Sequence, residues 1–184
     1  MKKFFLVVVL LLLLCGCQKT KPEYLVSSIG FDKKQNNYTV FFETVIINTE
    51  NTSQSLKVLK GEGESIEKAV AQIKRQCTQP LLLSHSGVIA VGEGLNRDDL
   101  KQICEYALKE EITLSAFFIK TKSAQKLLEV KPVSSACVGY DIMGLIKQNK
   151  PYKNRFFELI NDDFKATLPE IALKEGGLYF ETEQ

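Results

Sequence analysis

The chain has 184 residues, 45% of them hydrophobic, 25% charged and 9% aromatic, with a formal net charge of +2. That composition excludes a disordered chain, a collagen-like repeat and a disulfide-dense miniprotein, and the near-neutral charge argues against a nucleic-acid surface, which needs a concentrated surplus of Lys and Arg. One histidine and no tryptophan exclude multi-histidine metal sites, so histidine-based catalysis would rest on His85 alone.

Met1-Lys2-Lys3 is a short basic start, and Phe4 to Leu14 is an unbroken apolar run of eleven residues. It is too short to cross the roughly 30 Å hydrocarbon core of a bilayer as a helix, and residues 1–16 read as a secretory signal peptide. Leu14-Cys15-Gly16-Cys17 sets a small residue immediately before a cysteine and a leucine three positions upstream, as in a bacterial lipobox. In that class Cys17 becomes the acylated first residue of the mature protein; a plain signal peptide or a short uncleaved anchor is the alternative. Two or more acyl chains anchor stably, at about 0.8 kcal/mol per buried methylene. Without Lys2 and Lys3 the 24 basic residues fall to 22, against 22 acidic ones, so attachment is expected from lipid and not from a polybasic patch. Of five cysteines, Cys77, Cys104 and Cys137 then remain. Their odd number and the lack of a C-x-x-C spacing favour small core hydrophobes over a disulfide or metal framework.

Residues 17–23 are expected to form a lipidated tether and 24–175 one α+β domain. Tyr24 to Phe31 and Tyr38 to Ile47, joined by the polar stretch Asp32 to Asn37, predict a β-hairpin. Asn48 to Ser55 is a polar loop, and Leu56 to Lys60 a third strand stopping at Gly61-Glu62-Gly63. Ile66, Ala69, Val70, Ile73 and Cys77 then line one face of a helix that starts near Glu64 or Ser65 and is ended by Pro80. Leu81 to Leu83 and Gly87 to Val91 read as one interrupted strand or two short ones. Asn96 caps a second helix with Leu100, Ile103, Cys104, Ala107 and Leu108 on its apolar face. Thr113 to Lys120 is the next strand, and Ser123 opens a short helix closing before Pro132. Ser134 to Gln148 reads as helical despite Gly139 and Gly144, and Asn154 caps a last helix. Leu178-Tyr179-Phe180 is a strand-like run that either joins the existing sheet or begins a following domain over 176–184. The order of elements predicts a mixed, mostly antiparallel sheet covered by several helices.

Ser84-His85-Ser86 is where a hydrolase would be sought. In an extended strand neighbouring side chains point to opposite faces, so neither serine is placed to be activated by His85, and no G-x-S-x-G elbow exists. A Cys77–His85 pair is conceivable as nucleophile and base, but Cys77 sits on the buried helix face. Gly61-Glu62-Gly63 and Gly92-Glu93-Gly94 do not continue into phosphate-binding motifs and read as strand-to-helix turns. Asp98-Asp99 and Asp162-Asp163 read as solvated carboxylates at helix ends. No residue is expected to hold a cofactor or metal. A binding protein is therefore favoured, the rival being a surface-anchored lipoprotein that binds a small ligand or hydrolyses one through His85.

Several segments in order resemble the Ger(x)C family of spore germination lipoproteins, the C subunits of nutrient germinant receptors. They are Ser28-Ile29-Gly30-Phe31-Asp32, Gly61-Glu62-Gly63-Glu64-Ser65-Ile66-Glu67-Lys68-Ala69-Val70, the stretch Leu83 to Glu93 containing His85, and Ser123 to Val130. The resemblance covers the mature chain but only the N-terminal portion of the family. It implies a non-enzymatic lipoprotein on the outer face of the spore's inner membrane, working with two integral-membrane partners, the A and B subunits. It supplies no catalytic residues; only Cys17 carries a named chemical role, as the lipidation site.

Overall fold

The computed structural model describes residues 23–48, 53–149, 155–161, 163–164, 167–174 and 177–181. The expected hairpin forms from β1 (Tyr24–Lys34) and β2 (Asn37–Asn48), closed by Gln35-Asn36. β3 (Ser53–Gly63) runs antiparallel to β2 along its whole length. It is longer than Leu56 to Lys60 because Gly61 and Gly63 stay in the strand instead of turning out of it. Their missing side chains admit the next helix: a Cβ on Gly63 would lie 2.7 Å from the Ala69 backbone nitrogen, and one on Gly61 would strike the Ala69 carbonyl.

That helix, α1 (Ile66–Lys74), is capped by Ser65, whose hydroxyl accepts from the Lys68 N–H. It buries Ile66, Ala69, Val70 and Ile73, and it ends well before Pro80, leaving Cys77 just beyond it and packed on the core. β4 (Leu81–Leu82), a 3-10 turn (Leu83–His85) and β5 (Val88–Val91) follow. α2 (Arg97–Lys109) opens with a capping box in which the Asn96 side chain accepts from the Asp99 N–H and the Asp99 carboxylate from the Asn96 N–H. β6 is confined to Phe117–Lys120; Thr113 to Ala116 turn instead, as the hydrogen bond from the Ala116 N–H to the Thr113 carbonyl shows. α3 (Ala124–Leu128) is capped by Ser123 as expected. α4 (Val138–Gln148) begins four residues later than the pattern predicts, Ser134 to Ala136 forming a loop held by Asp141 and the hydroxyl of Ser135. α5 (Phe156–Asn161) follows; Asn154, its expected cap, lies outside the described residues. β7 (Glu170–Lys174), which the sequence pattern did not mark, pairs antiparallel with β8 (Gly177–Glu181), so Leu178, Tyr179 and Phe180 join the existing sheet.

The strands form one mixed sheet in the order β3-β2-β1-β5-β6-β7-β8, with β4 beside β1. The class is α+β, and the long antiparallel ladders of β1, β2 and β3 supply most of the paired residues. Alternation along each strand separates two cores. Val40, Phe42, Ile89, Val91 and Phe118 face α1, α2 and α5; Phe41, Val88, Ala90, Phe117 and Ile119 face α3 and α4. Among the described residues no helix is long and apolar enough to cross a membrane.

Candidate functional site

Cys17, the expected lipidation site, lies outside the described residues. His85 ends the 3-10 turn with its side chain exposed, as is that of Ser84. Ser86 is buried, and its hydroxyl donates to the Val26 carbonyl at 3.1 Å, away from His85. The segment is thus a turn and not the extended strand expected, and it turns the Ser86 hydroxyl away from His85. Cys77 donates to the Ile73 carbonyl at 3.4 Å, and burial pushes its thiol pKa up. Burial also pushes up the Cys137 thiol and drives that of Cys104 to about 12, so none of the three is poised as a thiolate.

Carboxylates hold the architecture together, and here the structure corrects the sequence reading. Asp99 is not a solvated cap but is buried, with Lys33 Nζ at 2.6 Å and the Tyr38 hydroxyl donating to the same oxygen. Asp98 beside it is exposed. Asp163 pairs with Arg97 at the surface, while Asp162 lies outside the described residues. Two further carboxylates went unmarked in the sequence. Asp32, at the end of β1, accepts from the N–H groups of Ala124 and Gln125 and from the Ser123 hydroxyl, closing the start of α3. Glu43, fully buried in β2, accepts from Ser27 Oγ at 2.7 Å, Ser28 Oγ at 2.9 Å, and the N–H groups of Val138 and Gly139 at 2.6 and 3.0 Å. Negative charge at a helix N-terminus meets the positive end of the backbone dipole, so each carboxylate fastens one helix to the sheet. Glu43 interrupts the run Phe41-Phe42-Glu43-Thr44-Val45. That interruption was the available signal.

Beside these fastened helices, the end of α3 and the loop that leads to α4 lie across from β3 and leave an open groove of about 650 Å³. Leu56 and Val58 form one wall, with Leu128, Val130 and Pro132 opposite. Val133 and Tyr140 are exposed nearby in the loop and on α4, at 74% and 56%. Among the described residues no cluster of His, Cys, Asp and Glu is arranged to hold a metal ion. The arrangement presents a shaped, largely apolar surface beside a strand edge.

The family model for the spore germination protein N-terminal domain matches residues 23–168, spanning the sheet from β1 to β6 and all five described helices. The chain belongs to this family. The crystal structure of the GerBC protein is similar at 13% identity and a TM-score of 0.31, over 83% of this chain and 45% of its own length. The chain therefore spans less than half of that protein. No curated protein matches the sequence.

Within this germination domain the segments that carry the resemblance are structural junctions. Ser28 to Asp32 is the β1 stretch that contacts Glu43 and α3; Gly61 to Val70 is the close β3–α1 contact; Leu83 to Glu93 is the turn and buried β5. Ser123 to Val130 is α3 and the rim of the groove. His85 occupies the exposed corner of one of these junctions.

Proposed function

We propose that the chain is the membrane-anchored C subunit of a nutrient germinant receptor, a non-catalytic component that acts by assembling with the integral-membrane A and B subunits. The observation that carries the reading is the match to the germination domain over 23–168, directly behind the lipobox-like Leu14-Cys15-Gly16-Cys17. Acylation at Cys17 would hold the domain at the outer face of the membrane, in the spore the inner membrane, through two or more acyl chains. An exposed His85 with the Ser86 hydroxyl turned away to Val26, and three thiols raised by burial, support a binding role over a hydrolytic one.

The test is deletion of the gene in its spore-forming host beside a Cys17→Ala allele, with germination followed against a panel of nutrients. Loss of response to particular nutrients in both strains is expected, together with recovery of the wild-type chain in spore membranes with the receptor subunits. Normal germination in both strains, or isolation of the chain from spore membranes without any receptor subunit, overturns the proposal.

A further inference from the structure

The outer edge of β3 is divided in two. Successive strand residues turn their backbone groups to opposite edges. In β3, Lys57 faces β2, since its carbonyl accepts from the Thr44 hydroxyl at 2.7 Å, and Leu59 and Gly61 follow the same parity. Leu56, Val58, Lys60 and Glu62 therefore present N–H and C=O to the open side. At Lys60 and Glu62 that side is covered by α1 and the turn after it: Gln76 Nε2 donates to the Lys60 carbonyl at 2.8 Å, and the Glu62 N–H donates to the Gln72 side chain. At Leu56 and Val58 no group among the described residues takes up the outward N–H or C=O.

The uncovered stretch is the wall of the apolar groove, so free backbone groups and a place for side chains coincide. Charge adds a direction. Glu129 on the rim accepts from the Gln125 side chain, and Lys60 pairs with Glu62, whereas Lys57 and Lys131 have no carboxylate partner among the described residues. A helix satisfies its own backbone groups and an acyl chain has none, so neither would answer the open donors and acceptors. A second copy docked by the same edge about a two-fold between Leu56 and Val58 would set Lys57 against Lys57, which like charges disfavour.

We propose that this groove receives an extended segment of a partner polypeptide, added to the sheet beside Leu56 and Val58, with apolar side chains in the groove and a carboxylate reaching Lys57 or Lys131. Main-chain hydrogen bonds supply affinity in such strand addition, and alternate side chains supply selectivity. Gln72 of α1 and Gln76 just beyond it limit the addition to the Leu56–Val58 end.

The test uses the full chain in detergent and, as probe, a fluorescein-labelled peptide of alternating valine and threonine between two aspartates. Saturable binding is expected, weakened by salt, with amide exchange at Leu56 and Val58 slowed by about tenfold or more while Lys57 and Leu59 stay unchanged. Val58→Pro removes only an outward N–H, as proline on an edge strand allows, and Leu56→Glu places charge on the groove wall. Each is expected to weaken binding at least about tenfold, the order of one lost hydrogen bond or apolar contact. If Val58→Pro does not fold, Leu56→Glu decides. Absence of saturable binding, binding without slowed exchange at those two amides, or undiminished binding to Leu56→Glu overturns the proposal. Slowed exchange that grows with protein concentration in the absence of peptide also overturns it, assigning the edge to a second copy.

Discussion

Glu43 in the middle of β2 and Val138 at the start of α4 are 95 residues apart in sequence and joined by a 2.6 Å hydrogen bond. The same carboxylate takes three more donors, so all its neighbours are N–H or O–H groups pointing inward. Glu43→Gln would set an amide NH₂ against at least one of them. We expect a loss of about 2–3 kcal/mol, the scale of a buried donor left without an acceptor, measured by urea unfolding. Hydrogen exchange in α4 should accelerate ahead of the β1–β2 hairpin, because Glu43 fastens α4 specifically.

Glycine to alanine should have opposite signs at two positions. At Gly61 the added carbon strikes the Ala69 carbonyl and comes within 2.8 Å of Ile73 Cγ1, so α1 must lift from β3. Gly61→Ala is expected to destabilise by about 1–3 kcal/mol, the range for overpacking a close contact. At Gly144, inside α4, a Cβ meets nothing within 4 Å. Gly144→Ala should stabilise by about 0.5–1 kcal/mol through lower backbone entropy in the unfolded chain. Thermal melts of the two variants beside the parent check both.

The features legible in the sequence were local ones. Ser65, Asn96 and Ser123 cap helices because a short polar side chain sits next to an apolar helical face, and both partners of the cap lie within three residues. The same holds for the β1–β2 hairpin. Thr113 to Ala116 look like strand but turn, since local β preference yields to a hydrogen bond that closes the turn ahead of β6. β7 escaped notice because it is five residues long and meets β6 through one pair, Lys120 and Glu170. The groove was invisible for a related reason. Its walls come from β3 and from the segment after α3, and what spaces them is Asp32 and Glu43 reaching helices more than ninety residues away.

His85 and Ser86 separate a surface role from a structural one within two residues. His85 is exposed, and replacing it with alanine should change stability by no more than about 0.5 kcal/mol. Ser86 is fully buried and donates to Val26, so Ser86→Ala orphans a buried carbonyl contact and should cost about 1 kcal/mol. Urea midpoints compare them. A hydrolytic role would instead appear as lost activity in His85→Ala with the melt unchanged.

Asp99 gives the fold an acid-sensitive joint. Burial alone would raise its carboxyl pKa, but the Asn96 N–H, the Lys33 ammonium and the Tyr38 hydroxyl outweigh burial and hold it below the ordinary carboxylate value. A carboxyl whose pKa is lower in the folded than in the unfolded chain adds stability that is present above the unfolded value, about 3.9 for Asp, and disappears as pH falls through the folded value. Lys33 mirrors it: the hydrogen bond to Asp99 raises its pKa, so its share is full below about 10.4, the unfolded lysine value, and is lost at higher pH. Asp99→Asn should therefore lower the urea midpoint at neutral pH, and the gap to the parent should close as pH drops below about 3.9, once the parent's carboxyl takes its proton. If the gap stays constant from neutral pH down through that range, Asp99 contributes through its capping hydrogen bonds and packing alone, and its charge against Lys33 adds nothing measurable.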